Sequence, residues 1–466
     1  MAHHRRIHWL PIALVVSLLG GLVSCHPARS TPGRVLSATR TPTATRTARP
    51  VPPTLSSTRP WTPTPRSAEA THGPPPSPTA TPNFAMRLWQ EGQVRGANVY
   101  QRRVYPELDG TTFYGPGPFG PPYTQADLDA LAAQGANWVV LSVMGPYTVT
   151  PPYRPDEQAL EHLARWVDRA WRAGLFVSLA IRAGPGRSEF SILREGVGDW
   201  FGPEYLHEEV WTDPRARRAW AAMWRLIAQR FRGHPAVIGY ELMVEPNAND
   251  IVGVDDPQAF QRRYQGTGYD WNAWYPELIA AIRSVDPDTP ILVSPLGYAS
   301  PRWLAVLHPH PDPHVVYSVH LYAPHAYTHQ GPDEHLPYPG WVEDDTGERR
   351  WLDATYFQAE ARALQAFRAR VRRPVVVTET GLVRWAPGAA AFMQDRLRAL
   401  ETYGLPYAIW LWPASWPPLR TPDGDHAFNF LLGPDPNHFT PTPNALWQTY
   451  QSFWARNRLR PPTPQP

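Results

Sequence analysis

A closed (β/α)₈ TIM barrel, an α/β fold, is predicted for residues 84–460 by three features. Eight short apolar runs recur along the segment, amphipathic stretches separate them, and no glycine-rich turn follows the first run. The runs lie at 96–100, 137–143, 175–182, 236–244, 290–295, 315–320, 374–379 and 407–412. Most are β-branched or aromatic and carry few charges, as parallel strands covered on both faces require. Eight strand–helix units in one domain fit a barrel. The alternative, an open doubly wound sheet, lacks its dinucleotide loop.

The helices between the runs carry start and stop signals. Leu160, Leu163, Val167, Ala170 and Trp171 recur at helical spacing before Gly174. Asp213-Pro214 offers an N-cap followed by proline at the first helical position. Trp220, Met223, Trp224, Ile227 and Phe231 then form an apolar stripe that Gly233 can end. A further helix is expected around 357–371, and a last one carries Leu446, Tyr450, Phe453 and Trp454.

The first 83 residues have a different composition. Arg5 and Arg6 precede an apolar run from Trp9 to Val23 that reads as a signal peptide. It ends Leu22-Val23-Ser24-Cys25, which resembles the bacterial lipobox, and Cys25 is the sole cysteine of the chain. The expectation is a leader over 1–25, lipidation at Cys25, and anchoring on the outer face of the bacterial membrane. Residues 26–83 are mostly Pro, Thr, Ser, Ala and Arg. Such a segment cannot bury enough apolar surface to fold, and its prolines favour an extended tether.

Charge and composition exclude several functions. Nine Arg and one Glu lie in residues 1–83, leaving 35 basic and 40 acidic residues beyond them. The folded part is therefore mildly acidic and gives no case for nucleic acid. The chain has no lysine, so Schiff-base and P-loop chemistry are absent, and with one cysteine the barrel has no thiolate metal site. His325 and His329 are four apart, but no helix is expected there to present them to zinc. Neither cofactor nor metal is expected. The 21 Trp suit a cleft that stacks on sugar rings, although Trp also fills cores.

In such barrels chemistry sits at the C-terminal ends of the strands. The fourth run ends Glu241-Leu242-Met243-Val244-Glu245-Pro246-Asn247, and the seventh Val377-Thr378-Glu379-Thr380-Gly381. Each places a glutamate at the barrel mouth. A carboxyl pair is what glycoside cleavage needs: one protonates the leaving oxygen, and the other attacks the anomeric carbon or activates water.

Tyr240–Pro246, the segment His320-Leu321-Tyr322-Ala323-Pro324 followed by Tyr327-Thr328-His329-Gln330-Gly331, and Ile409-Trp410-Leu411-Trp412 together resemble glycoside hydrolase family 5 over residues 94–455. The resemblance implies a retaining β-glycosidase with Glu245 as acid/base and Glu379 as nucleophile. It also implies that His320 and Tyr322 orient the carboxylates and the sugar, and that Trp412 stacks on the sugar. The implied substrate is a β-linked polysaccharide or oligosaccharide outside the cell, cut as by an endo-β-1,4-glucanase or mannanase, and the chain is expected to act as a monomer.

The pattern departs from the family at three places. Val244 stands where the family has an Asn that bonds the sugar 2-hydroxyl, so either Asn247 or Asn249 compensates, or the substrate is unusual, or activity is reduced. The second run has no Arg. The third ends Ile181-Arg182-Ala183-Gly184-Pro185, so Arg182 is expected to bring the missing charge toward the nucleophile. This run is also similar to that of family 35 β-galactosidases, which keeps exo-acting galactosidase chemistry open. Transglycosylation, or a non-catalytic sugar-binding protein on a decayed barrel, remains the other reading. The long loop 183–212, with Phe190, Trp200, Phe201 and Tyr205, is expected either to shape the cleft or to pack on the rim.

Overall fold

The computed structural model describes residues 83–420 and 426–463. The leader, Cys25 and nearly all of the tether lie outside the described residues. At the centre is a closed barrel of eight parallel strands. These are β1 Arg95–Tyr100, β2 Trp138–Met144, β3 Phe176–Ala183, β4 Val237–Glu241, β5 Ile291–Val293, β6 Val315–Leu321, β7 Val375–Thr380 and β8 Tyr407–Ile409. Each pairs with its neighbour in chain order, and β1 closes the ring on β8. Gly96 permits the close approach of β1 to β2, because a Cβ there would fall 1.7 Å from the Trp138 carbonyl oxygen.

Helix α1 Phe84–Gln90 precedes the barrel, and α2 Gln125–Ala133, α3 Glu157–Arg172, α4 Pro214–Phe231 and α5 Trp271–Arg283 follow the first four strands. After β6, β7 and β8 come α6 Ala354–Val371, α7 Ala389–Thr402 and α8 Ala445–Trp454. The expected start signals act as read: the Asp213 side chain accepts from the Arg215 N–H, and Pro214 opens α4. Trp220, Met223, Trp224, Ile227 and Phe231 are all buried. The fifth unit differs from the repeat. Between β5 and β6 lie the short turns Leu296–Ala299 and Pro301–Ala305. Proline and the left-handed Gly297 and Tyr298 interrupt a longer helix here, and buried Trp303 packs edge-on against Phe260 at 5.5 Å.

Three runs end as strands earlier than their composition suggests. β4 stops at Glu241, β5 at Val293 and β8 at Ile409. Beyond Glu241 the chain stays tied to both neighbours, Leu242 N–H to the Leu292 carbonyl at 3.1 Å and Val244 N–H to the Ile181 carbonyl at 2.9 Å. It then turns through Glu245, whose φ is +52°.

The N-terminal end of the barrel is covered by α1, for which the sequence assigned no role. Asn83 caps this helix by accepting from Met86 N–H. Trp89 is wholly buried, donates its indole N–H to the Ile238 carbonyl at 2.8 Å, and meets Trp138 edge-on at 5.1 Å. At the opposite end the long loop packs on the rim. Phe190 and Phe201 are buried and stack within 4.6 Å, with Trp200, Tyr205 and Tyr105 around them.

Candidate active site

Glu245, just past β4, and Glu379, near the end of β7, converge at the barrel mouth with His320 from β6. One oxygen of each carboxylate and a ring nitrogen of His320 all lie within 4.8 Å of one another. His320 Nδ1 is 2.9 Å from Glu245 Oε1 and 3.4 Å from Glu379 Oε2. Tyr322 donates its hydroxyl to Glu379 Oε2 at 3.0 Å. An oxygen of each carboxylate thus lies within 4.8 Å of the other, far closer than the roughly 6.5–9.5 Å that leaves room for an attacking water in an inverting pair.

Arg182, on β3, reaches this pair as its sequence position suggested. Its Nη1 donates to Ser142 Oγ at 3.0 Å and to Glu379 Oε1 at 3.3 Å, and its Nη2 lies 3.9 Å from Glu245 Oε2. The guanidinium also faces the rings of Tyr100 at 5.2 Å and Trp410 at 5.1 Å. With this cation between them, the two glutamates and His320 form a poor divalent-metal site. The charge a metal would supply is already present, and it would repel the ion.

Burial pushes the Glu379 carboxyl up to about 7, opposed by the charges of His320 and Arg182 and reinforced by Glu245. Burial also pushes Glu245 upward, but the His320 hydrogen bond and the charges of His320, Arg182 and Arg187 hold it below the usual carboxylate range. For His320, burial disfavours the imidazolium, yet the two carboxylates outweigh it and raise its pKa to about 9. Two carboxyl groups this close titrate as one unit. In the free protein Glu379 is the member that more readily holds a proton.

Two of the expected contacts are not made. Trp412 is 4% exposed, donates its indole N–H to the Asp127 carbonyl at 2.8 Å, and packs on Phe430. It is a core residue. The half-exposed Trp410, two positions earlier, is the one beside Tyr100 and Arg182, and its peptide bond to Leu411 is cis. Asn247 is also wholly buried, with its amide donating to the Ser191 carbonyl at 2.8 Å, and Asn249 accepts from Gly297 N–H at 2.9 Å. Neither therefore takes the place of the Asn that Val244 replaces. Val244 itself is buried in an apolar cluster.

Two further polar residues escaped the sequence. Arg187 is completely buried and donates to the carbonyls of Arg182 at 2.5 Å, Val244 at 3.0 Å and Glu245 at 2.8 Å. It clamps the backbone that carries Glu245. Its signal was the second arginine of the run Arg182–Arg187. Glu241 lies deeper in the barrel, where burial raises its pKa while Ser294 at 2.9 Å and Thr378 at 3.1 Å donate to one oxygen.

The fold is shared with solved glycosidases. One glycoside hydrolase structure superposes with a TM-score of 0.56 at 19% identity, covering 79% of this chain and all of that one. An endoglucanase from the hyperthermophilic Thermotoga maritima superposes at 0.52 with 18% identity, covering 70% and 92%. Identities this low speak for the fold alone. In sequence the chain is 28% identical over 127 residues to Endoglucanase C of Acetivibrio thermocellus, covering 27% of this chain and 32% of that one. It is 29% identical over 120 residues to Endoglucanase 3 of Fibrobacter succinogenes, covering 26% and 16%. The matched segments thus span about a third or less of these curated relatives. Residues 100–415, which hold every catalytic candidate above, match the model of the cellulase family, and the chain belongs to that family, glycosyl hydrolase family 5.

Proposed function

We propose that this protein is a retaining glycoside hydrolase that cuts β-1,4-linked glucan by double displacement. The observation that carries this reading is the pair Glu245 and Glu379 within 4.8 Å, bridged by His320. Glu379 attacks the anomeric carbon while Glu245 protonates the departing oxygen, and the glycosidic C–O bond breaks. Glu245 then takes a proton from water, which attacks the glycosyl–Glu379 ester and restores both residues. The endoglucanase relatives support glucan as the sugar.

The first step needs Glu379 ionised and Glu245 protonated, which reverses their order in the free protein. His320 Nδ1 touches both carboxylates and, as an imidazolium, is placed to hand its proton to Glu245 once Glu379 is ionised. A sugar seated over the pair displaces water and brings its leaving oxygen to Glu245. Arg182 and Tyr322 remain on Glu379, stabilising its charged form.

The test is hydrolysis of aryl β-cellobioside and soluble β-glucan by residues 84–466. Glu379→Ala should lower kcat by at least about 10³-fold. Glu245→Ala should regain turnover of an activated aryl cellobioside with added azide, giving the β-glycosyl azide. Turnover that survives Glu379→Ala, or an α-azide product, refutes this assignment.

The exported, lipid-anchored state belongs to the same proposal. Lipidation at Cys25 and a tether over 26–83 would hold a monomeric barrel at the cell surface, where the polymer lies. Cells fed a labelled fatty acid should label the wild-type chain but not Cys25→Ser. Equal labelling of the two discards the anchor.

A further inference from the structure

The geometry points to a second glycan-binding site on the outer face of the hairpin formed by Gly340–Glu343 and Arg349–Leu352, which holds a β-1,4-glucan chain beside the cleft. The inference rests on glucan being the substrate of the cleft. In this antiparallel pair Trp341 stands opposite Trp351, and Glu343 opposite Arg349. Side chains alternate along a strand, so these four share one face, while Val342 and Leu352 turn inward and are buried. Trp341 is 52% exposed and Trp351 48%, and with Phe84 they are the large apolar side chains left exposed among the described residues. Their rings meet edge-on at 5.6 Å, and the Arg349 guanidinium lies 5.3 Å over Trp341.

Apolar rings beside a guanidinium and a carboxylate match the chemistry of a sugar chain, whose pyranose faces are apolar and whose rim is a ring of hydroxyls. Exposed aromatics in a protein that buries most of its Trp mark a binding surface rather than chance. The hairpin is also continuous with the active site. It arises from the loop after β6, the strand of His320. Asp345 in its turn accepts from His325 N–H at 2.9 Å and lies 2.8 Å from His325 Nδ1. His325 stacks on His329 at 5.0 Å, and His329 touches Tyr322, the residue that bonds Glu379. Trp341 is four residues from Asp345 in the turn, at most roughly 14 Å along the chain, so one polymer chain can reach from the cleft to the tryptophans.

Affinity electrophoresis through soluble β-1,4-glucan tests this in the Glu379→Gln background, which leaves the polymer intact. Replacing both tryptophans by leucine keeps apolar bulk in the hairpin but removes the flat rings, and replacing both by tyrosine keeps rings. The expected result is binding weakened at least tenfold by leucine and largely restored by tyrosine. In the otherwise wild-type protein, the ratio of polymer turnover to aryl cellobioside turnover should fall with the leucine pair. Unchanged retardation of the leucine variant overturns the inference, and hydrolysis by the wild type then leaves the cleft reading standing. Trp-dependent binding by a protein that hydrolyses no glucan would instead remove the cleft reading and keep this site.

Discussion

At the scale of single residues, the backbone under Glu245 is held by a neighbour. A non-glycine residue at φ +52° is strained by about 1–3 kcal/mol, and Arg187 steadies the turn by bonding the carbonyls of Val244 and Glu245, one on each side of the Glu245 α-carbon. Arg187→Met should therefore misplace Glu245, the proposed acid/base. General acid catalysis is worth about 10²–10⁴-fold and matters only for poor leaving groups. Cleavage of cello-oligosaccharides should fall about 10²-fold, while a dinitrophenyl cellobioside, which needs no proton, should lose much less. Equal losses on the two substrates would reduce Arg187 to a folding role. The neighbouring tryptophans separate in the same way. Trp412→Ala should cost about 3–5 kcal/mol of stability in urea, as for other buried Trp truncations. Trp410→Ala should leave the unfolding midpoint nearly in place and raise KM for oligosaccharides, because its ring is half-exposed beside Arg182.

At the scale of elements, α1 contributes to the barrel without approaching its chemistry. Trp89 fills the N-terminal end against Trp138 and Ile238, and a Cβ on Gly239 would lie 3.5 Å from its ring. Trp89→Ala should lower stability by about 3–5 kcal/mol, read by urea denaturation, with kcat per folded molecule unchanged. An equal fall in kcat would mean that strain at the N-terminal end reaches the catalytic end. The fifth unit makes the complementary point. Trp303 and Leu304, both on the turn Pro301–Ala305, are buried, so this unit buries apolar side chains without a full helix. Periodicity marked the long helices well because their apolar stripes are set by local spacing. It said little about α1, a seven-residue element whose one critical contact is with strands far along the chain.

At the scale of the whole molecule, the site is a meeting of charges from four strands: Arg182 from β3, Glu245 after β4, His320 from β6 and Glu379 from β7. Its pH dependence follows from that assembly. In the proposed mechanism Glu379 must be ionised to attack, and burial with Glu245 nearby places its pKa at about 7, so activity should be lost as pH falls through that value. The His320 imidazolium, raised to about 9 by the two carboxylates, is lost as pH rises through that value. The kcat/KM profile should be bell-shaped between these limits, and His320→Asn should remove the alkaline limb. A profile flat from pH 6 to 10 would contradict this account of the charges.

The amino-acid sequence by itself determined the barrel, its strand order and the two glutamates, because these follow from local patterns. Apolar runs of strand length recur between helical stripes, and a carboxylate at the tip of a run must lie at the mouth. Arg182 followed from its place at the end of the third run, whereas His320 and Tyr322 came with the resemblance to glycoside hydrolase family 5. Tertiary structure alone decided which tryptophan faces the cleft, since Trp410 and Trp412 share a dipeptide repeat and differ only in how the chain leaves β8. It decided that Asn247 and Asn249 serve the loops around them, that Arg187 grips the backbone of Glu245, and that Glu379 rather than Glu245 more readily holds the proton. Each of these depends on contacts between residues distant in sequence and on burial, and neither quantity is encoded in any short stretch of the chain.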